Sequence, residues 1–173
     1  MDDVDKQILD CLQEDATMPR PEIAERVHLS TTPCWRRIQK LRETGIIRKE
    51  VALLDRRALN VGLTAFVAIR TNQHNPEWFR RFADAVRDIP EIVECYRMSG
   101  EVDYLLRVVI PGVDAYDGVY NRLIRAVELV DVTSSFAMEE LKYSTALPLE
   151  YVSDDGRWTP GPRKPTSPRE AGL

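Results

Sequence analysis

Histidine and cysteine are scarce in this chain, and the scarcity excludes several chemistries. The two histidines, His28 and His74, stand near no plausible nucleophile. No glycine-rich phosphate loop or metal-binding cluster accompanies them, so the residues of an enzyme site are missing. The three cysteines (Cys11, Cys34, Cys95) are scattered, with no CxxC and no neighbouring histidine pair. That argues against a disulfide framework and against zinc, and leaves them as small apolar core residues. Also missing is any apolar run near the ~20 residues that a bilayer-spanning helix requires. The opening MDDVDKQ is acidic, the wrong chemistry for a signal or transit peptide, so a cytoplasmic protein is expected. With 43% hydrophobic and 30% charged residues over 173 positions, a globular fold of one ordinary or two small domains is predicted.

The net charge of −4 seems to exclude nucleic acid, but it averages over two opposed regions. Residues 1–15 carry six acids and one base, net −5; residues 31–49 carry six bases and one acid, net +5. Local sign, more than total charge, steers a polyanion.

Val4, Ile8, Leu9 and Leu12 recur at helical spacing and predict a helix over about residues 3–14. After the turn TMPRP, EIAERV supplies Ile23, Ala24 and Val27 for a short second helix. Then LSTTPCWRRIQKLRETG, residues 29–45, predicts a third, with Ser30 as N-cap, Pro33 in the first turn and Gly45 ending it. A short link between the second and third helices is the helix-turn-helix pattern, although His28 stands where glycine is common and leaves the turn geometry open. IIRKEVALLD, residues 46–55, reads as strand and suggests a two-stranded wing. Beyond it the strand GLTAFVAIRT, the helix NPEWFRRFADAVRDI, the strands EIVECYRM and DYLLRVVI, the helix VDAYDGVYNRLIRAV and the strand VTSSFAMEELKY give the order β-α-β-β-α-β. In the first of those helices Phe79, Phe82, Ala83 and Val86 form the expected apolar face. In the second it is Tyr116, Val119, Tyr120, Leu123, Ile124 and Val127.

The fold class is therefore α+β: a winged helix-turn-helix over 1–55, then a ferredoxin-like domain with a four-stranded antiparallel sheet over 56–150. Residues 151–173, rich in Pro, Gly and Ser, are expected to be a disordered tail.

In the third helix Cys34, Ile38 and Leu41 must face the core, which turns Thr31, Thr32, Trp35, Arg36, Gln39 and Lys40 outward. Those hydroxyl, amide and guanidinium donors are suited to base edges in a major groove, while Arg42, Arg48 and Lys49 are suited to phosphates. Pro33 and Arg37 complete the predicted DNA-binding set. A merely solvated basic face explains the charge but not Trp35. Two further readings are a thiol redox sensor, with Cys34 beside three cations, and a ligand-binding module without DNA.

The hairpin tip SGEVDY, residues 99–104, offers a second site. Gly100 lets backbone approach a ligand, and Glu101 and Asp103 provide anions for an ammonium group. On the residues alone, a plain turn at Gly100 ending in a solvated Asp103 is the stronger reading.

Taken together, VDKQILDCLQED, LSTTPCWRRIQKL, ALLD at 52–55, SGEVDYLL at 99–106 and MEE at 138–140 resemble the Lrp/AsnC (leucine-responsive/asparagine regulator) family of bacterial transcription factors. The resemblance covers residues 2 to about 150. It implies a winged helix-turn-helix joined to a RAM/ACT-like ligand domain, homodimers pairing through their sheets, often octamers, and a double-stranded DNA operator in the cytoplasm at the nucleoid. It implies no cofactor, but an amino-acid effector held by Ser99, Gly100, Glu101, Val102, Asp103 and Tyr104, with Ser134 and Ser135 lining the pocket from the facing side. RMSGEVDYLLRV and DVTSSFAMEELKYSTALPL are most similar to the cysteine-responsive branch, regulators of cysteine detoxification. L-cysteine or a close sulfur-containing relative is the effector so implied, with a cysteine-catabolic operon as target; a leucine-responsive or other amino-acid-responsive regulator is the alternative.

Overall fold

The computed structural model describes residues 1–152. The tail expected over 151–173 lies, from residue 153 on, outside the described residues. The described residues divide into two compact units, one of Met1–Ala52 with residues 143–152, the other of Leu53–Lys142.

The first unit is built on three helices, α1 (Asp3–Glu14), α2 (Arg20–Arg26) and α3 (Thr31–Glu43). Each contributes a narrow apolar stripe, and Ile8, Ile23, Cys34 and Ile38 are almost fully buried where the stripes meet. Helix α1 begins with a reciprocal cap: the Asp5 N–H donates to Asp2 Oδ1 at 2.9 Å and the Asp2 N–H donates to Asp5 Oδ2 at 3.3 Å. The turn between α2 and α3 is closed by His28 in the left-handed region, φ +54°. The Leu29 N–H donates to the Ala24 carbonyl at 2.8 Å and the His28 N–H to the Glu25 carbonyl at 3.1 Å, a Schellman ending with histidine in glycine's usual place. Leu29 packs on the same core, so the turn is fixed by burial as well as by hydrogen bonds. Gly45, φ +75°, ends α3.

The expected wing does not form. Residues 46–55 contain no strand, because Ile46 and Ile47 both turn toward the helical core and break the alternation a strand needs. Glu50 is drawn to Arg42 at 2.5 Å, and Val51, Leu53 and Leu54 stay more than half exposed with no ladder alongside them among the described residues.

The second unit contains β1 (Leu63–Arg70), α4 (Pro76–Asp88), β2 (Ile92–Arg97), β3 (Tyr104–Ile110), α5 (Tyr116–Ala126) and β4 (Asp131–Phe136). The strands lie in the order β2-β3-β1-β4, all antiparallel, which is the predicted ferredoxin-like sheet. Ala65, Val67 and Ile69 of β1 and Leu106, Val108 and Ile110 of β3 point to one face, where α4 and α5 cover them. Asn75 caps α4 by accepting the Trp78 N–H at 2.8 Å, and Pro76 occupies the first turn, where its missing N–H leaves no acceptor unpaired. The buried stripe of α4 starts at Trp78 and runs through Phe82 to Ile89, whereas Phe79, expected inside, is 45% exposed. Trp78 prevails because its ring stacks on Phe82 at 5.0 Å and its Nε1–H donates to the Glu128 carbonyl at 2.9 Å, satisfying the indole. On α5, Val119 and Leu123 are buried as expected, but Ile124 lies outward. Of the three cysteines Cys11 and Cys34 are buried; Cys95, on the edge strand β2, is exposed.

Candidate DNA-reading helix and effector loop

Helix α3 is amphipathic in the way its sequence demands, with Cys34, Ile38 and Leu41 inward. Ser30 stands at its N-cap with extended backbone, but its hydroxyl makes no capping bond, so the first N–H groups of the helix are left for another acceptor. Thr31, Thr32, Pro33, Arg36 and Lys40 are exposed, and Gln39 is half-buried. Thr32, Arg36 and Lys40, four residues apart, fall in one row along the helix. Arg36, Lys40, Arg48 and Lys49 enter no ion pair among the described residues, so the cationic surface is not neutralised from within. Arg36, Lys40 and Arg48 border a cleft of about 1330 Å³ whose other wall carries Asp2, Asp3 and Asp5.

Three predicted contacts have other commitments. Arg37 reaches back to α1, its Nη1 lying 2.7 Å from Asp2 Oδ2 and 2.8 Å from Asp5 Oδ1. The Asp5 backbone N–H and then the Arg37 guanidinium hold the Asp2 carboxyl below its ordinary 3.8. Arg42 is paired with Glu50. Trp35 is half-buried against the helical core, with the Arg20 guanidinium 3.4 Å above its ring centroid and that of Arg42 at 5.4 Å. Trp35 thus has a packing role, stacked with cations that lie near the helix's outer face. Sequence reasoning missed Arg20, since fifteen residues separate it from Trp35 and only the fold brings them together. Cys34 is fully buried and burial pushes its thiol up, away from the thiolate a redox sensor requires.

In the second unit the tip between β2 and β3 turns on Gly100, φ +115°, with Ser99, Gly100 and Glu101 exposed and Val102 half-buried. Asp103 anchors it. Its N–H donates to the Ile69 carbonyl at 2.9 Å, its carbonyl accepts the Met98 N–H at 2.8 Å, and its Oδ2 accepts the Thr71 N–H at 2.8 Å. Among the described residues Oδ1 accepts nothing, and Ser99, Gly100 and Glu101 donate no backbone hydrogen bond. Within five residues the tip therefore carries a carboxylate oxygen and backbone N–H groups that make no hydrogen bond among the described residues, the two kinds of partner that an amino acid's ammonium and carboxylate require. Thr71, which the sequence reading overlooked, is the buried residue through which this carboxylate is held.

Tyr104, by contrast, turns into the core, its ring 4.5 Å from that of Phe82. Ser134 and Ser135, being consecutive on a strand, face opposite sides of the sheet. The hydroxyl of Ser134 is hydrogen-bonded to that of Tyr116 beneath α5, and Ser135 lies on the open face opposite Phe66. From the register, Ser135 is two strands over and four residues along from the end of β1 at the tip, roughly 15 Å away. The two halves of the predicted pocket do not meet within one chain.

Comparison with known proteins assigns a family domain to each part of the chain. The family described as the AsnC-type helix-turn-helix domain matches residues 1–42, and the Lrp/AsnC ligand binding domain matches residues 64–147. The chain is 48% identical over 151 residues to the DNA-binding transcriptional activator DecR of Escherichia coli K12, covering 87% of this chain and 99% of that one. The crystal structure of an AsnC family transcriptional regulator from Agrobacterium tumefaciens is 56% identical and superposes with a TM-score of 0.86, over 88% of this chain and all of that one. The L-Met complex of the transcriptional regulator NMB0573 from Neisseria meningitidis is 36% identical, with a TM-score of 0.82 over 87% and 97% of the two chains. No described helix is long and apolar enough to cross a membrane. A basic third helix in a helix-turn-helix unit, a four-stranded sheet with both helices on one face and these relatives leave one conclusion: the chain belongs to the Lrp/AsnC family, a family of DNA-binding transcriptional regulators and not of enzymes.

Proposed function

We propose that this regulator reads its operator with α3 and answers to a sulfur-containing amino acid, L-cysteine or a close relative, at the tip between β2 and β3. Residues 1–55 would read DNA and residues 56–150 would hold the effector. Thr31, Thr32, Arg36, Gln39 and Lys40 approach the base edges, and Arg48 and Lys49 hold phosphates, as does the uncapped start of α3. The observation that carries the effector reading is Asp103, which commits one oxygen to the Thr71 N–H and leaves the other without a donor among the described residues, on the tip that turns at Gly100. The ammonium of the ligand goes to Asp103, and its carboxylate to the N–H groups of residues 99–101. The similarity of the last strand to the cysteine-responsive branch supports a sulfur-containing side chain, as does the methionine bound by the Neisseria meningitidis relative. Genes of cysteine catabolism are the targets this implies, in the cytoplasm at the nucleoid. Ser135, too far from the tip within its own chain, joins the site from a second copy, so that effector binding depends on a homo-oligomer.

A thermal-shift series with the twenty amino acids tests this, because a ligand that binds only the folded state raises its Tm. L-cysteine or L-methionine is expected to give the largest rise. Asp103→Asn, which keeps an acceptor for the Thr71 N–H but removes the charge, is expected to abolish that rise while leaving operator binding intact. A largest shift from an amino acid without sulfur would overturn the sulfur specificity, and an undiminished shift in Asp103→Asn would overturn the site.

A further inference from the structure

Two guanidinium groups share the ring of Trp35. Arg20, the first residue of α2, holds its Cζ 3.4 Å from the ring centroid, and Arg42, in the last turn of α3, holds its own at 5.4 Å. One carboxylate serves the two: Glu50 pairs with Arg42, while Arg20 enters no ion pair among the described residues. Two like charges at one ring repel, and a single acid leaves one of them uncompensated. The separation at Arg20 also fixes its attitude. An edge-on guanidinium would put its nitrogens between Cζ and the ring and could not come so close. Arg20 therefore lies on the indole by its flat face, and its N–H groups point outward from the edge. Its side chain is exposed, whereas Trp35 is half-buried. On the outer surface of α3 Trp35 stands four residues after Thr31 and four before Gln39, so Arg20 borders the row proposed to approach base edges.

We propose that Arg20 contacts a phosphate of the operator backbone and that Trp35 is the positioning residue that holds it there. The inference rests on α3 being the DNA-reading helix. A planar fork of N–H donors matches two phosphate oxygens, and a fork already stacked loses little freedom on contact. A phosphate also supplies the counter-charge that Glu50 gives to Arg42 alone. Arg20 stands on the helix before the reading helix, which in a helix-turn-helix crosses the backbone and does not enter the groove. Such a contact sets the register of α3 on the duplex and carries no sequence information. The opposite reading is that Arg20 only fastens α2 to α3 through the ring. That explains the stacking but leaves the missing counter-charge without a reason.

R20Q and R20K in the full chain test this. Binding is measured, over a series of salt concentrations, to a duplex that the unaltered protein selects from a random pool and to an unrelated duplex. R20Q is expected to flatten log K against the logarithm of salt concentration by about 0.9 for each chain on the duplex, with affinity falling in parallel on both duplexes. R20K keeps the charge but neither the stack nor the fork, so the slope of the unaltered chain is expected with a lower affinity. An unchanged slope in R20Q overturns the contact, whatever happens to Tm, and leaves only the fastening of α2 to α3. A loss confined to the selected duplex overturns the phosphate in favour of a base. R20K binding as tightly as the unaltered chain overturns the fork. Trp35 is tested by adding R20Q to W35L, where it is expected to cost less affinity than in the unaltered chain; an equal cost overturns the positioning role. Because Arg20 is exposed, R20Q and R20K decide the contact even if W35L does not fold. R36A in the same assay separates this from the helix assignment. If R36A loses discrimination between the duplexes while R20Q behaves as the unaltered chain, only the role of Arg20 is wrong. If R36A changes nothing, the reading of α3 fails and the role of Arg20 with it.

Discussion

His28 occupies the left-handed position that closes α2, and a side chain there costs about 1–2 kcal/mol relative to a right-handed backbone. Glycine would remove that strain but would lose about 0.5–1 kcal/mol of its own to chain entropy. His28→Gly is therefore expected to stabilise the first unit by roughly 0.5–1 kcal/mol in urea denaturation. His28→Val should destabilise it, and equal midpoints for the two variants would contradict this account of the turn. At the neighbouring helix the same scale separates two adjacent arginines. Arg36, exposed and unpaired, should tolerate alanine with no change in Tm while operator binding is lost. Arg37, tied to Asp2 and Asp5, should lose about 1 kcal/mol of stability in Arg37→Ala, a modest figure because the pair is partly solvated. Sequence alone made these two residues equivalent, since both are bases on one helix. What divides them is a contact 35 positions away, and no local periodicity encodes it.

Helices α1 and α4 show how much of an element's orientation was legible. The cap of α4 was, since Asn75 with Pro76 announces its start, and the buried stripe of α3 can be read from its spacing alone. But Ser30, expected to cap α3, makes no capping bond, and the Asp2 cap of α1 was not singled out. The inner face of α4 was assigned one residue off, because Trp78 and Phe79 are both large and apolar, and only a partner for the indole N–H decides which goes inside. Trp78→Ala should accordingly cost about 3–5 kcal/mol, while Phe79→Ala stays within about 0.5 kcal/mol of the unaltered chain. The wing was unreadable for a related reason: a strand requires a neighbour, and the apolar run 51–54 has none among the described residues. For α1 the cap itself makes a pH prediction. Asp2 is held below its usual carboxylate value in the folded state, so its contribution to stability is fully present above pH ~4 and disappears as pH falls through the lowered folded-state value. Asp2→Ala should destabilise by about 1 kcal/mol at pH 7, and the difference should shrink as the pH is taken below that range. A difference independent of pH would mean that helix packing, and not the ionised cap, is what the substitution disturbs.

At the scale of the molecule, the sheet of the second unit covers one face with helices and leaves the other open. Cross-strand partners share a face, so Glu94, Arg107, Phe66 and Ser135 form one row across that open side. Arg107 is paired with Glu94 at 2.6 Å, Glu94 also accepts the Tyr96 hydroxyl at 3.0 Å, and Phe66 is 42% exposed beside them. An aromatic ring flanked by an ion pair that is satisfied within its own sheet can be covered without stranding a charge, which is what a face shared between copies requires. If copies of the chain meet through this face, as the family resemblance implies, Phe66→Glu places a carboxylate at the contact without disturbing the core, since Phe66 points away from α4 and α5. Sedimentation velocity should then show the assembled species replaced by single chains with unchanged circular dichroism. The thermal shift from the effector should vanish in parallel, because Ser135 can reach a loop about 15 Å away only from a second copy. A variant that stays assembled would place the interface elsewhere. One that dissociates yet keeps its effector response would show that a single chain completes the pocket and that Ser135 is not part of it.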